Sequence, residues 1–286
     1  MSPVILTPLL ALLLAPAAGA YGWPVKPFNQ QHPIRGAFDD PRLGGSFHFG
    51  VDISVRDGTA IYAVAPGTVF TYSDAIAVRQ SSGREFSYWH VEATVPQHSY
   101  VEAGQRIGYV RFGFGHVHFA EFDGTTYVNP LRPGGLTPFS DATVPVVGPI
   151  AVQEVGGKFQ ATAEAYDPPA TPLPAPWQAA VWTPARIRWR LMRNGSPIVP
   201  WTVAFEASTY RPKKAFDDVY APGTHQNFPG KAGRYVFWLT KGLTLLGGHY
   251  ALDVQASDTR GNTGFGSTAF EVVTDQSLNA TKRASR

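Results

Sequence analysis

Gly115-His116-Val117-His118-Phe119 is the stretch whose reading decides this chain. Side chains alternate across a β-strand, so residues i and i+2 share a face. His116 and His118 therefore point one way, while Val117 and Phe119 point the other, into packing. On a straight strand the two imidazoles stand about 6.5 Å apart, at about 3.3 Å rise per residue. That separation suits one metal ligand and one histidine acting on whatever the metal binds. Taken alone, the same H-x-H pattern is equally a pair of polar residues on a half-exposed strand. Three other places in the chain bear on the choice.

Upstream lies Phe47-His48-Phe49-Gly50-Val51-Asp52-Ile53. Its β-branched residues argue for a strand. On a straight strand His48 and Asp52 share a face but stand about 13 Å apart. They meet at one point only if the chain bends between them, and Gly50 sits where a bend is easiest. Between the two histidine stretches runs Glu85-Phe86-Ser87-Tyr88-Trp89-His90-Val91, whose alternation places Phe86, Tyr88 and His90 on one face. His32, His98, His225 and His249 have no partner spacing and receive no role.

The 286 residues suggest one large or two ordinary domains. With 29 Gly and 25 Pro, few helical periodicities survive, which favours an all-β chain rich in turns. Net charge is +3, a weak argument for contact with an acidic polymer. Residues 5–20 are apolar and small and end in Ala18-Gly19-Ala20, so residues 1–20 read as a secretory signal peptide. The run is short for a membrane span and is interrupted by proline. The chain has no cysteine. Disulfides, cysteine zinc sites and cysteine nucleophiles are thereby excluded, and metal chemistry must use His and carboxylates.

The texture changes around Pro145 to Gly148, and the second half has the strand-and-turn spacing of a sandwich. Pro168, Pro169, Pro172, Pro174 and Pro176 predict a stiff exposed loop. Ile187, Trp189 and Leu191 face inward, with Arg186, Arg188 and Arg190 on the solvated side. Asn194-Gly195 predicts a hairpin turn. The domain expectation is a signal peptide over 1–20, a catalytic domain with an N-terminal arm over 21–145, a β-sandwich accessory domain over 146–274, and a disordered tail over 275–286.

The three histidine-bearing stretches occur in the order H-x-G-x-D-I, Y-x-H and H-x-H-F. Between them stand Gly58-Thr59 with Ala63, Gly67 and Val69, and then Val101-Glu102-Ala103-Gly104-Gln105-Arg106-Ile107-Gly108. Over residues 34–124 this resembles the lysostaphin-type (LytM-type) zinc endopeptidases that cut peptidoglycan. The resemblance implies an antiparallel β-sheet domain of the duplicated-hybrid-motif type. It implies one Zn²⁺ held by His48, Asp52 and His118, with His90 and His116 as catalytic histidines. Two neutral imidazoles and a carboxylate leave a tetrahedral zinc one open position for water, whose pKa falls towards about 7. One departure is Ala120, which stands where the family pattern has Glu, with Glu121 one place later. The second half is similar to immunoglobulin-like modules in its Asp258-Thr259-Arg260-Gly261-Asn262 run.

The implied function is an exported, cell-wall-associated zinc metalloendopeptidase whose partner is peptidoglycan. Neither nucleic acid nor, after signal cleavage, a membrane is expected as a partner, and the oligomeric state is not legible. The alternatives are a non-enzymatic cell-wall-binding or hydrolase-regulating protein on the same scaffold, or a different zinc hydrolase or metal-binding module.

Overall fold

The structure is a computed structural model, and it describes residues 19–273. Almost all of the signal-peptide stretch and the whole expected tail therefore lie outside the described residues. In the N-terminal half the strands are β1 (Ile34–Gly36), β2 (Pro41–Arg42), β3 (Ser46–Phe47), β4 (Val51–Ser54), β5 (Ala60–Tyr62), β6 (Gly67–Thr71) and β7 (Ala75–Arg79). They continue with β8 (Glu85–Trp89), β9 (Val91–Ala93), β10 (Tyr100–Val101), β11 (Arg106–Val110), β12 (His116–Phe122) and β13 (Tyr127–Val128). The C-terminal half holds β14 (Val146–Val155), β15 (Lys158–Tyr166), β16 (Arg186–Arg193), β17 (Ser196–Glu206), β18 (Val236–Leu243), β19 (Gly248–Ser257) and β20 (Thr263–Val272). The one described α-helix, α1, is the four-residue Phe216–Val219. No helix among the described residues is long and apolar enough to cross a membrane.

The expectation of an all-β, antiparallel chain holds. The main sheet runs β1-β4-β12-β8-β7-β6-β10, with β13 also on β12. A second sheet runs β5-β11-β9. The strand bearing the H-x-H pattern thus lies between the strand carrying Asp52 and the strand leading to His90. His118 stands opposite Asp52 on one side and Trp89 on the other. Val117 and Phe119, on the other face of β12, enter a core with Val51, Ile53, Phe86, Tyr88 and Ile107. Burying each such side chain contributes about 1.5–3 kcal/mol. The arm joins this core through Tyr21, Trp23 and Val25. The backbone of Tyr21 bonds to Gly135 and Thr137, and its hydroxyl donates to Glu121 (2.6 Å).

In the C-terminal half, sheet β14-β15-β18 and sheet β17-β16-β19-β20 share a second core. Ala161, Ala163, Phe237 and Leu239 come from the first sheet, and Ile187, Trp189, Leu252 and Val254 from the second. Asn194 and Gly195 take positive φ (47° and 81°) in the β16–β17 turn, as the hairpin reading requires. The arginine row lies on the wet face: Arg190 pairs with Asp253 (2.8 Å), Arg186 with Glu206, and Arg188 stacks on Trp201.

The two halves interleave. Phe38 and Phe47 enter the C-terminal core, while Trp182 enters the N-terminal one and donates to the Ile34 carbonyl (2.9 Å). The proline-rich segment is therefore not simply an exposed loop. Leu173 within it is buried, and Trp177 just beyond it stacks on Arg35 (4.4 Å).

Candidate metal centre

Gly50 makes the site possible. The chain bends there, immediately before β4. A Cβ at this position would strike the Phe119 carbonyl and lie 2.9 Å from His118 Cε1. Without one, the chain approaches β12 closely enough to bring His48 over Asp52. Three donor atoms then converge. His48 Nε2 lies 3.0 Å from Asp52 Oδ1 and 2.7 Å from His118 Nδ1. His118 Nδ1 lies 3.1 Å from the same carboxylate oxygen. All three residues are buried.

The donor set fits a zinc ion. His48 Nδ1 donates to the Ala37 carbonyl (2.7 Å), which fixes the tautomer and turns the Nε2 lone pair inward. Burial, with Arg42 beside it, lowers the His48 pKa to about 3, so the ring is neutral near pH 7. Burial works against ionisation of Asp52. The neighbouring His48 and the Arg42 guanidinium outweigh it and hold the carboxyl well below its usual range. Arg42 reaches Asp52 Oδ2 at 2.6 Å, leaving Oδ1 for the site. Inward-facing lone pairs on two imidazoles and a carboxylate repel one another unless a cation or a proton lies between them, and this N₂O set is one that zinc accepts.

The other two histidines border the same space. His116 follows the alternation and lies on the His118 face, with Nε2 3.5 Å from Asp52 Oδ1. Burial, helped by Arg35, lowers its pKa to about 4. Arg35 Nη2 stands 2.7 Å from His116 Nδ1. The Phe114 carbonyl lies 2.9 Å from the same nitrogen; the guanidinium calls for a lone pair on Nδ1 and a proton on Nε2, the carbonyl for the reverse.

His90 departs from the expected pattern. Phe86 and Tyr88 are in the core, but His90 is not on their face. It has φ 64° between β8 and β9, and this left-handed residue breaks the alternation and swings the ring into the cleft. There it stacks on Phe114 (4.2 Å between centroids), and its Nδ1 donates to Asp74 Oδ2 (3.0 Å). Burial lowers its pKa, and the Asp74 charge opposes that effect.

A cleft of about 590 Å³ contains all five residues, together with Phe49, Trp89, Asp74, Arg42 and Arg211. Glu121, the shifted acid, is not part of it. It lies on the opposite face of β12, buried under Tyr21, Arg84 and Arg132. The sequence reading missed Arg35, Arg42, Asp74 and Arg211. No local spacing marks them, since each reaches the site through chain folding.

Comparisons with known proteins bear on this centre. Residues 46–130 match the sequence model of Peptidase family M23. No curated protein matches the chain. Solved structures similar to it include the antimicrobial peptidase lysostaphin from Staphylococcus simulans, at 15% identity and TM-score 0.34, over 86% of this chain and 90% of that one. The catalytic domain of the prophage-encoded M23 protein EnpA from Enterococcus faecalis, in a mutant form, aligns at 26% identity and TM-score 0.30, over 37% and 95%. Csd3 of Helicobacter pylori aligns at 24% identity and TM-score 0.34, over 40% of this chain but only 34% of its own. The family match spans all five histidine and aspartate positions, and over residues 46–130 this chain is similar to peptidase family M23.

Proposed function

We propose that this chain is an exported zinc metalloendopeptidase that hydrolyses peptide bonds in the cross-links or stems of peptidoglycan. The observation that carries the reading is the meeting of His48 Nε2, Asp52 Oδ1 and His118 Nδ1 within 2.7–3.1 Å, beside two further imidazoles in one cleft. Zinc held by these three residues supplies a Lewis acid that polarises a carbonyl and acidifies water.

The protein's own groups divide the proton work. His90 Nδ1–H donates a hydrogen bond to Asp74, so its Nε2 lone pair is free to take a proton from water and deliver it to the leaving amine. His116, in the tautomer that Arg35 calls for at Nδ1, presents Nε2–H to the cleft, where it can donate to the carbonyl oxygen as negative charge develops. His90 is thus the general base and His116 the oxyanion donor. Phe49 and Trp89 wall the cleft, and Arg42 and Arg211 suit a peptide that carries carboxylates.

The test is loss of turbidity in purified cell walls, with mass spectrometry of the released muropeptides. Clearing should stop on chelation and in His118→Ala. If His118→Ala clears walls as fast as the parent, the reading fails. Binding to walls that are left uncut by zinc-loaded protein would make the chain a non-enzymatic wall binder.

A further inference from the structure

A second group of oxygen donors lies away from the cleft, where the two cores meet. Asp141 precedes β14, Asp167 follows β15, and Asp258 opens the β19–β20 turn. One carboxylate oxygen from each lies within 4.8 Å of the others. They line a cavity of about 20 Å³ with Trp182 and Thr259, room for about one water-sized sphere. Asp167 is 3% exposed, and its Oδ1 has no hydrogen-bond partner. An unmatched buried carboxylate oxygen is costly and calls for an explanation.

The neighbours do not neutralise the group. Asp258 accepts backbone N–H bonds from Arg260 and Asn262, and Asp141 accepts one from the backbone N–H of Thr143 and one from its hydroxyl. No Lys or Arg among the described residues forms an ion pair with any of the three carboxylates. Arg260 stacks on Phe139 (4.8 Å) instead. Burial, then the charges of Asp141 and Asp258, push the Asp167 carboxyl up to about 9. Arg260 is a nearby cation whose charge is felt by Asp141 and Asp258 without an ion pair.

We propose that Asp141, Asp167 and Asp258 bind a calcium ion that clamps the segment entering β14 to the two sheets of the C-terminal half. The donors are all hard oxygens. Calcium holds such ligands at about 2.3–2.6 Å, so oxygens on opposite sides of it lie about 5 Å apart. Magnesium keeps several waters, for which this cavity has no room. The three ligands come from segments far apart in sequence, so the ion joins the start of β14 to the end of β15 and to the β19–β20 turn.

The experiment uses full-length, zinc-loaded protein and two readouts. Terbium luminescence sensitised by Trp182 should appear on titration and be displaced by calcium. The thermal midpoint should rise by about 3–6 °C at a tenfold excess of calcium over its Kd, and fall back on adding EGTA. Asp167→Asn should abolish both responses, and Asp258→Asn serves if that variant does not fold. A parent protein whose midpoint ignores millimolar calcium overturns the proposal and makes Asp167 a buried neutral acid. Terbium emission lost in Asp52→Asn but kept in Asp167→Asn places the ion in the cleft and overturns it equally.

Discussion

Arg35 and Arg42 give the metal centre its particular electrostatics. Arg42 holds the outer oxygen of Asp52, so Arg42→Met should weaken zinc binding by about 10–100-fold, read by competition with a chromophoric chelator. Arg35 lowers the His116 pKa and occupies its Nδ1. Arg35→Met should raise that pKa from about 4 and let Nδ1–H turn to the Phe114 carbonyl, 2.9 Å away. An NMR titration of the ring carbons would show both changes. Metal-free protein should also be acid-sensitive. His48 and His116 have folded-state pKa values of about 3 and 4, below the unfolded value near 6.5. Between those limits the unfolded chain binds more protons, so stability falls as pH drops, by up to about 1.4 kcal/mol per pH unit for each ring. Denaturant midpoints of apo protein at pH 7, 6 and 5 measure the slope, and a flat series would contradict it. All five metal and proton-transfer candidates were legible in the chain because they recur in ordered, locally spaced motifs. The arginines and Asp74 were not, because their contacts close over long sequence separations.

At the level of the strand, the site depends on how closely β4 approaches β12. Gly50→Ala places a methyl against the Phe119 carbonyl. It should cost about 1–3 kcal/mol and more than that in function, since His48 and His118 are pushed apart. Zinc content and thermal midpoint should fall together. If zinc content is unchanged, the close approach is not what assembles the site. The sequence foresaw this bend, and it foresaw the Asn194-Gly195 hairpin, because glycine at a forced turn is a local signal. It did not foresee the left-handed His90, because alternation through Phe86 and Tyr88 predicts a continuing strand. The loop after β11 was likewise hidden. It is pinned by Asp57 to the Gly113 and Gly115 amides (both 2.8 Å) and leaves Phe112 93% exposed at its tip.

Over the whole molecule, the C-terminal half reaches the cleft by two routes. Arg211 lines it from a segment after β17 and stacks on Phe47 (5.3 Å), and Trp177 covers Arg35. Arg211→Ala should raise KM for wall peptides several-fold while zinc content stays fixed. An unchanged KM would remove Arg211 from substrate contact. The exchange of Trp182 for Phe38 and Phe47 between the cores should make unfolding a single transition. Trp182→Ala should cost about 3–5 kcal/mol and shift that transition as a whole. Two separated transitions would show that the cores melt independently. The change of texture near Pro145 was readable, because composition is local. The traffic across it was not, because no period in the sequence records which buried aromatic crosses over.

Tyr21 bears on when the chain becomes closed to proteases. Its ring is packed against Phe86 (4.9 Å), and its main chain is bonded on both sides to the segment around Gly135. A protease that cuts beside Tyr21 must hold several residues across that bond in extended form, which the closed sheet does not release. The backbone at Tyr21 should therefore become resistant to digestion once the first core has formed.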